Sequence, residues 1–160
     1  MIRLEKPALL HKKLFEESLN ELKNDSFDYY FIKEPFIYEQ WIQEINRIEN
    51  IPENWVPGSF FFAINSDNKI VGRVSIRHLL NKMLLERGGH IGYGVFSEFR
   101  KNYYATEMLK QALEYCKSLS LKYVVLDCDL DNYGSQKVIE NNFGIKEHNK
   151  KDFCRYWIAL

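Results

Sequence analysis

The chain switches between two hydrophobic periods, and the switches mark its elements. Ile2 to Leu4 predicts a short strand, after which Leu10, Leu14, Phe15, Leu19 and Leu22 form a helical stripe ending near Asn24-Asp25. An aromatic connection with Phe27, Tyr29, Tyr30, Phe31 and Phe36 leads into a second helix whose Tyr38, Trp41, Ile42, Ile45 and Ile48 share one face. Beyond Trp55-Val56-Pro57-Gly58, the runs Ser59 to Asn65 and Lys69 to His78 are rich in β-forming residues, and Ser66-Asp67-Asn68 between them predicts a hairpin. Phe60, Phe61 and Phe62 alternate into both faces of that sheet. His90 to Phe96 then interleaves glycines with Ile91, Tyr93 and Val95, which suits an extended, closely approached strand. From Ala105 the period changes: Ala105, Met108, Leu109, Ala112, Leu113, Cys116 and Leu119 follow a 3.6-residue repeat with one buried stripe. Tyr123 to Asp127 reads as a short buried strand. Asp131-Asn132-Tyr133-Gly134-Ser135 turns the chain, with Ser135 the expected N-cap of a short helix to Asn142. Two last strands are predicted at Ile145 to His148 and Phe153 to Ala159. Strand, helix and strand in the middle predict a parallel β-α-β core, and the hairpins predict antiparallel pairing around it. The fold class is therefore α/β: a mixed, mostly antiparallel central sheet with flanking helices, in one domain over residues 1–160.

Composition narrows the function. At 160 residues the chain buries a core without help from metal or disulfides. Lys plus Arg equals Asp plus Glu at 22 each, so no global field recruits nucleic acid or an anionic membrane, and the aromatics lack the basic groove that base stacking requires. Cys116, Cys128 and Cys154 are odd in number and sit in apolar, periodic contexts, as reduced core thiols do. Glu5 precedes any apolar run, and no stretch approaches the ~18 apolar residues of a membrane span. A cytoplasmic protein is expected, and the sequon-like Asn24-Asp25-Ser26 is read as chance. His11, His78, His90 and His148 have no metal-ligand spacing with one another or with the cysteines, so no metal is expected.

Arg100-Lys101-Asn102 sits between the glycine strand and the long helix, where the helix offers free N–H groups to an anion. Two common phosphate motifs are excluded. Gly92-x-Gly94-x-x-Ser97 lacks the third glycine of the dinucleotide fingerprint, and its glycines lie inside the strand. No Gly-Lys-Ser/Thr tripeptide marks a P-loop. Asp127-Cys128-Asp129-Leu130-Asp131-Asn132 has Asn132 in the glycine place and Val138 at the twelfth position, which excludes a calcium loop.

Gly-Tyr-Gly-Val-Phe-Ser-Glu-Phe-Arg-Lys-Asn-Tyr-Tyr-Ala-Thr resembles the strand-loop-helix motif of the GNAT superfamily of N-acetyltransferases, whose loop reads Arg/Gln-x-x-Gly-x-Gly/Ala; here it is Arg100-x-x-Tyr103-x-Ala105. Leu126 to Asn132 resembles the next strand of that family with its cofactor-facing asparagine, and Ser135 to Asn142 the short helix after it. Gly-Gly-His-Ile-Gly-Tyr-Gly-Val with the terminal Arg155-Tyr156-Trp157-Ile158 is similar to a bacterial subgroup whose substrates are mostly unassigned. The resemblance implies an acetyl-CoA-dependent N-acetyltransferase working without metal. It implies cosubstrate contacts at Val95, Phe96, Arg100, Lys101, Asn102, Tyr103, Tyr104, Ala105, Thr106, Asn132 and Ser135. The acceptor would be a small-molecule amine or a protein amine, attacking the thioester directly through a tetrahedral intermediate whose oxyanion is held by backbone N–H groups near Val95. Homodimers are common in this fold.

Two positions depart from the family pattern. Tyr103 stands in the place of the loop glycine: at negative φ it would favour the helix by up to ~1 kcal/mol over glycine, and at positive φ it would be strained. Ile139 stands where many members carry a tyrosine acid. The acid matters less than the base. Protonating a leaving thiolate with pKa near ~8.5 is worth about 2 kcal/mol, whereas an alkyl amine with pKa ~10.4 is free base in only about one molecule in two thousand at pH 7, a penalty near ~4.6 kcal/mol. An α-amine near ~8 costs about 1.4 kcal/mol. Candidates for acid-base work are His90 and Glu86 at the start of the glycine strand, Asp127 at the end of the next one, and Tyr133 in the turn, with Asp129 and Cys128 nearby. His90 shares a strand face with Gly92, Gly94 and Phe96, but alternation does not say which face meets the cleft. Asp25, Asp28, Glu34 and Glu39 in the aromatic connection offer charge for a cationic acceptor. The competing reading is a non-catalytic acyl-CoA-binding sensor or partner-binding module with a degenerate site.

Overall fold

The computed structural model describes residues 1–22, 25, 27–147 and 151–160. Strands β1 (Ile2–Glu5), β2 (Gly58–Asn65), β3 (Ile70–Arg77) and β4 (Ile91–Val95) form an antiparallel sheet in that order, and β5 (Tyr123–Asp129), β7 (Phe153–Ala159) and β6 (Ile145–Lys146) form a second. Helices α1 (Lys12–Glu21) and α2 (Tyr38–Ile45) lie in the first half, followed by a short α3 (Lys82–Glu86), the long α4 (Tyr104–Ser118) and α5 (Tyr133–Glu140).

Strand β2 explains the layering. Phe61 and Ala63 join the cluster formed with Met108, Leu109 and Ala112 of α4, while Phe60, Phe62 and Ile64 join Phe15, Tyr30, Tyr38 and Trp41 from the α1–α2 side. Covered on both faces, the strand can be apolar throughout. The hairpin to β3 is closed by Asn65, whose Oδ1 accepts from the N–H of Asp67 (3.1 Å) and of Lys69 (2.9 Å). The α4 stripe is buried as its period requires, from Met108 to Cys116.

The architecture is the expected α/β one with mostly antiparallel strands, but β4 and β5 do not share a parallel ladder among the described residues. Just ahead of β4, Gly89 makes one antiparallel bridge to Leu126 of β5. Gly89 has φ +66°, and a Cβ there would stand 2.3 Å from the Val125 carbonyl oxygen, so only glycine allows this approach. The sheet thus divides into two, leaving a cleft. Three boundaries differ from expectation. The stretch before β4 contains α3, capped by Asn81 Oδ1 on the Leu84 N–H (3.0 Å), so Glu86 ends a helix rather than opening the strand. The N-cap of α5 is Asn132, whose Oδ1 accepts from the Ser135 N–H (3.0 Å); Ser135 lies inside the helix. Strand β6 stops at Lys146, and the predicted extension to His148, like Asn24 and Ser26, falls outside the described residues. No helix among the described residues is long and apolar enough to cross a membrane.

Candidate active site

Hydrogen-bond parity orients β4. The Arg77 N–H donates to His90 O (2.8 Å) and the Phe96 N–H to Val71 O (2.9 Å), so the even-numbered residues pair with β3. The backbone groups of Ile91, Tyr93 and Val95 therefore point away from β3, into the cleft beside β5. The Val95 carbonyl on that edge accepts from the Tyr29 hydroxyl (2.9 Å) and from Arg100 Nε (3.2 Å). Across the cleft, the Tyr93 hydroxyl meets Ser135 Oγ at 2.8 Å and ties β4 to the start of α5; burial pushes that phenol well above its ordinary range.

The mouth of the cleft is the turn before α4. Tyr103 is the N-cap, with φ +60° and a side chain 83% exposed. Lys101 is also left-handed, at φ +67°. The first α4 hydrogen bond runs from the Glu107 N–H to Tyr103 O (3.2 Å), and among the described residues the N–H groups of Asn102, Tyr103, Tyr104, Ala105 and Thr106 have no protein partner. Tyr103 thus keeps glycine's conformation without glycine's freedom, its ring turned to solvent and its N–H in the row. Arg100 is anchored beneath: it contacts Val95 O, the Tyr29 hydroxyl (3.4 Å) and Asp25 (3.9 Å). Asp25 also accepts from the Ser97 N–H (3.2 Å) and Oγ (2.8 Å). Burial works against its ionisation, but these hydrogen bonds and those from Phe27 and Tyr29 outweigh it and hold the carboxyl below its usual range.

The acid-base candidates are placed unequally. His90 is 6% exposed and sits in the seam between the sheets. Its N–H donates to Val125 O (2.7 Å) and its Nδ1 accepts from the Val125 N–H (3.0 Å), which fixes the ring proton on Nε2. Burial, then the Arg77 charge, hold the imidazole below its ordinary pKa. Asp127 is held by Arg155 through Oδ1–Nε and Oδ2–Nη2 contacts, both 2.8 Å, and accepts from the Gly88 N–H at 2.7 Å. Arg155 also donates to the carbonyls of Leu85 (2.6 Å) and Glu86 (3.2 Å), locking α3 onto the second sheet. The Glu86 side chain and the Tyr133 ring are exposed. Asp129 pairs with Arg87 on the surface (2.6 Å). Burial, with Cys154 opposite, pushes the Cys128 thiol up to about 11. Ile139 is fully buried in the core, where Gly144 packs on it. Asn132 spends its Oδ1 on the helix cap, leaving its amide nitrogen without a protein partner among the described residues.

On the α1–α2 face of β2 and β3 lies a cavity of about 670 Å³ lined by the aromatic connection, α2, the Pro52–Val56 segment, β2, β3 and α3. Of the acidic residues named above only Glu34 lines it; α2 adds Glu44. Asp28 accepts from the Phe31 N–H (2.7 Å), and Glu39 pairs with Lys12 (2.7 Å). Sequence reasoning missed the basic side of this cavity. Ser75 and Arg77 line it from β3, and Arg73 precedes them on the same strand face, a period-2 signal present in Arg-Val-Ser-Ile-Arg.

The split sheet, the strand edge unpaired at the split and the row of N–H groups without protein partners in the following turn define an α/β domain with an anion-accepting turn. The acetyltransferase (GNAT) domain family matches residues 13–142, and the chain belongs to that family of acetyltransferases. No curated protein matches the sequence. Among solved structures, the N-acetyltransferase PseH from Campylobacter jejuni, in complex with acetyl coenzyme A, is similar at 13% identity and TM-score 0.66, covering 100% of this chain and 99% of that one. RimL, a ribosomal L7/L12 alpha-N-protein acetyltransferase in complex with coenzyme A, is similar at 14% identity and TM-score 0.67, covering 99% and 94%. The spermidine/spermine N-acetyltransferase SpeG from Vibrio cholerae, solved in mutant forms, is similar at 17% identity and TM-score 0.64, covering 99% and 93%. At these identities the likeness is one of fold.

Proposed function

We propose that the protein moves an acetyl group from acetyl-CoA to a primary amine by direct attack. The observation that carries this reading is the row of backbone N–H groups from Asn102 to Thr106, without protein partners among the described residues, at the turn that follows β4; a cavity of about 670 Å³ over the neighbouring β2 and β3 leaves room for an acceptor. The N–H groups from Asn102 to Thr106 hold the pyrophosphate, with Arg100 and Lys101 adding charge. Val95, Phe96 and the cleft-facing N–H groups of β4 align the acyl arm, and the Asn132 amide nitrogen and the Tyr93–Ser135 pair bound it on the α5 side. The bound cosubstrate supplies an acetyl thioester. The amine nitrogen bonds to its carbonyl carbon, the resulting tetrahedral intermediate collapses with cleavage of the carbon–sulfur bond, and the thiolate takes up one proton while the amine loses one.

His90 and Asp127 hold their acceptor atoms in protein hydrogen bonds, and Ile139 offers no acid. The amine therefore reaches the thioester as its free base, with Glu86 and Tyr133 left as exposed groups able to exchange its proton with water. Acceptors of low amine pKa are favoured, since an alkyl amine carries a penalty of about 4.6 kcal/mol at pH 7 and an α-amine about 1.4. The neighbours' names, a polyamine acetyltransferase and a protein α-amine acetyltransferase among them, support a primary amine acceptor and leave its size open.

Thiol release from acetyl-CoA over a panel of amines tests this reading. Acetylated product should appear one for one with free thiol, and log kcat/KM should rise with pH at a slope near one up to the acceptor's own pKa. Cosubstrate binding with no thiol release from any amine would favour the sensor.

A further inference from the structure

Arg73 and Arg77 are two cations drawn into the protein with no carboxylate within ion-pair distance among the described residues; the charges of Asp28 and Asp127 act on them from farther off. Arg73 is 4% exposed, and its Nε is buried with no hydrogen-bond partner. Its Nη1 donates to Ser75 Oγ (3.0 Å) and Gly92 O (3.2 Å), and its guanidinium lies 4.7 Å from the Phe31 ring centroid and 5.1 Å from that of Phe27. Arg77 is half-buried and lines the cavity. Among the described residues its side chain makes one hydrogen bond, from Nη1 to Gly89 O (3.2 Å), which leaves most of its five donors open. Neither arginine makes an ion pair among the described residues, in contrast to Arg155. Burial lowers the pKa of both, Arg73 to about 10.

An unpaired cation in such a place is costly and calls for an anion. The row lies beside the proposed acetyl position. A Cβ on Gly92 would stand 3.2 Å from Ser75 Oγ, 3.4 Å from Arg73 Nη1 and 3.7 Å from Arg77 Nη1, which puts the serine hydroxyl and both guanidinium groups together over β4 at this glycine. Gly92 and Val95 are three residues apart, about 10 Å along a strand. A small molecule carrying an oxyanion at one end and an amine at the other spans the two. Phosphate and carboxylate both suit the flat, forked donor set of arginine. The cavity also contains Lys33 and Arg47 against Glu34 and Glu44, so its cations outnumber its carboxylates and a polycation is poorly matched.

We infer that the acceptor is a small primary amine bearing a phosphate or carboxylate, which Arg77, with Ser75 beside it and Arg73 behind, holds against β4 while the amine faces the thioester. This rests on the acetyl-transfer reading above. The test compares amines that differ only in the anion, each rate expressed per concentration of free amine: glucosamine 6-phosphate with glucosamine, O-phosphoethanolamine with ethanolamine, and β-alanine with its amide, with spermidine as the polycation. The anion-bearing member of a phosphate or carboxylate pair should have a kcat/KM at least about tenfold higher, equivalent to about 1.4 kcal/mol. The pair that shows the preference identifies the anion. Arg77→Gln should abolish the preference chiefly through KM, with acetyl-CoA affinity unchanged in calorimetry, and Arg77→Lys should retain most of it. Turnover that favours the neutral amines or spermidine, or a preference that survives Arg77→Gln, would overturn the anion site while leaving acetyl transfer standing. Acetyl-CoA binding without turnover of any of these amines would overturn both.

Discussion

Tyr103 concentrates the question of how far this site keeps its family's chemistry. Its φ of +60° is the glycine conformation, so the strained branch of the sequence argument is the one the chain takes, and the exposed ring leaves the N–H where a phosphate can meet it. Tyr103→Gly should raise stability by about 1 kcal/mol in a denaturant titration, because a left-handed residue with a Cβ carries a penalty of roughly that size. It should leave acetyl-CoA affinity equal or better; a loss of affinity would mean that the tyrosine side chain itself contributes to binding. Arg100→Ala should weaken acetyl-CoA by tenfold or more, given about 1.5–3 kcal/mol for a hydrogen bond to a charged group. Unchanged affinity would place the pyrophosphate elsewhere. His90 shows why residue type alone misleads. A histidine beside a glycine strand reads as a base, yet here its acceptor nitrogen fills the place of a backbone carbonyl and joins two sheets.

At the scale of elements, periodicity carried most of the fold. The α4 stripe, the hairpin at Asn65 and the two-faced phenylalanine strand are all local patterns, and local patterns are what a sequence displays. What it hid depends on partners distant in the chain: α3, held to the second sheet by Arg155, and the buried Asp127–Arg155 pair, whose aspartate read from the sequence as an acid-base candidate. Asp127→Asn should cost about 3–5 kcal/mol, the usual consequence of leaving a buried arginine unpaired, with thermal denaturation as the readout. The sheet seam also gives the fold an acid sensitivity. Burial and Arg77 depress the folded-state pKa of His90, and burial and Lys6 that of His78, so the unfolded chain binds more protons once the pH drops to about 6.5. Stability should fall as the pH is lowered from about 6.5 toward those depressed values. His90→Asn keeps an acceptor for the Val125 N–H and does not titrate, so its Tm should decline less steeply than that of the native chain between about pH 7 and pH 5. Equal slopes would assign the sensitivity to other groups.

For the whole molecule, the consequential feature is the division of the sheet. A ladder between β4 and β5 would have closed the strand edge that the proposed acyl arm uses; among the described residues a bridge at Gly89 and the Tyr93–Ser135 contact join the two sides instead. The N–H row stands at the turn that follows β4, and the cavity lies over β2 and β3, the next strands of the same sheet. In the proposed reaction the free backbone groups of that turn hold the cosubstrate and the cavity takes the amine. The measurement that tests it most directly is calorimetric titration of the protein with acetyl-CoA. The geometry predicts one molecule bound per chain with a Kd in the micromolar range, equivalent to about −8 kcal/mol. The absence of heat at high micromolar acetyl-CoA would contradict it.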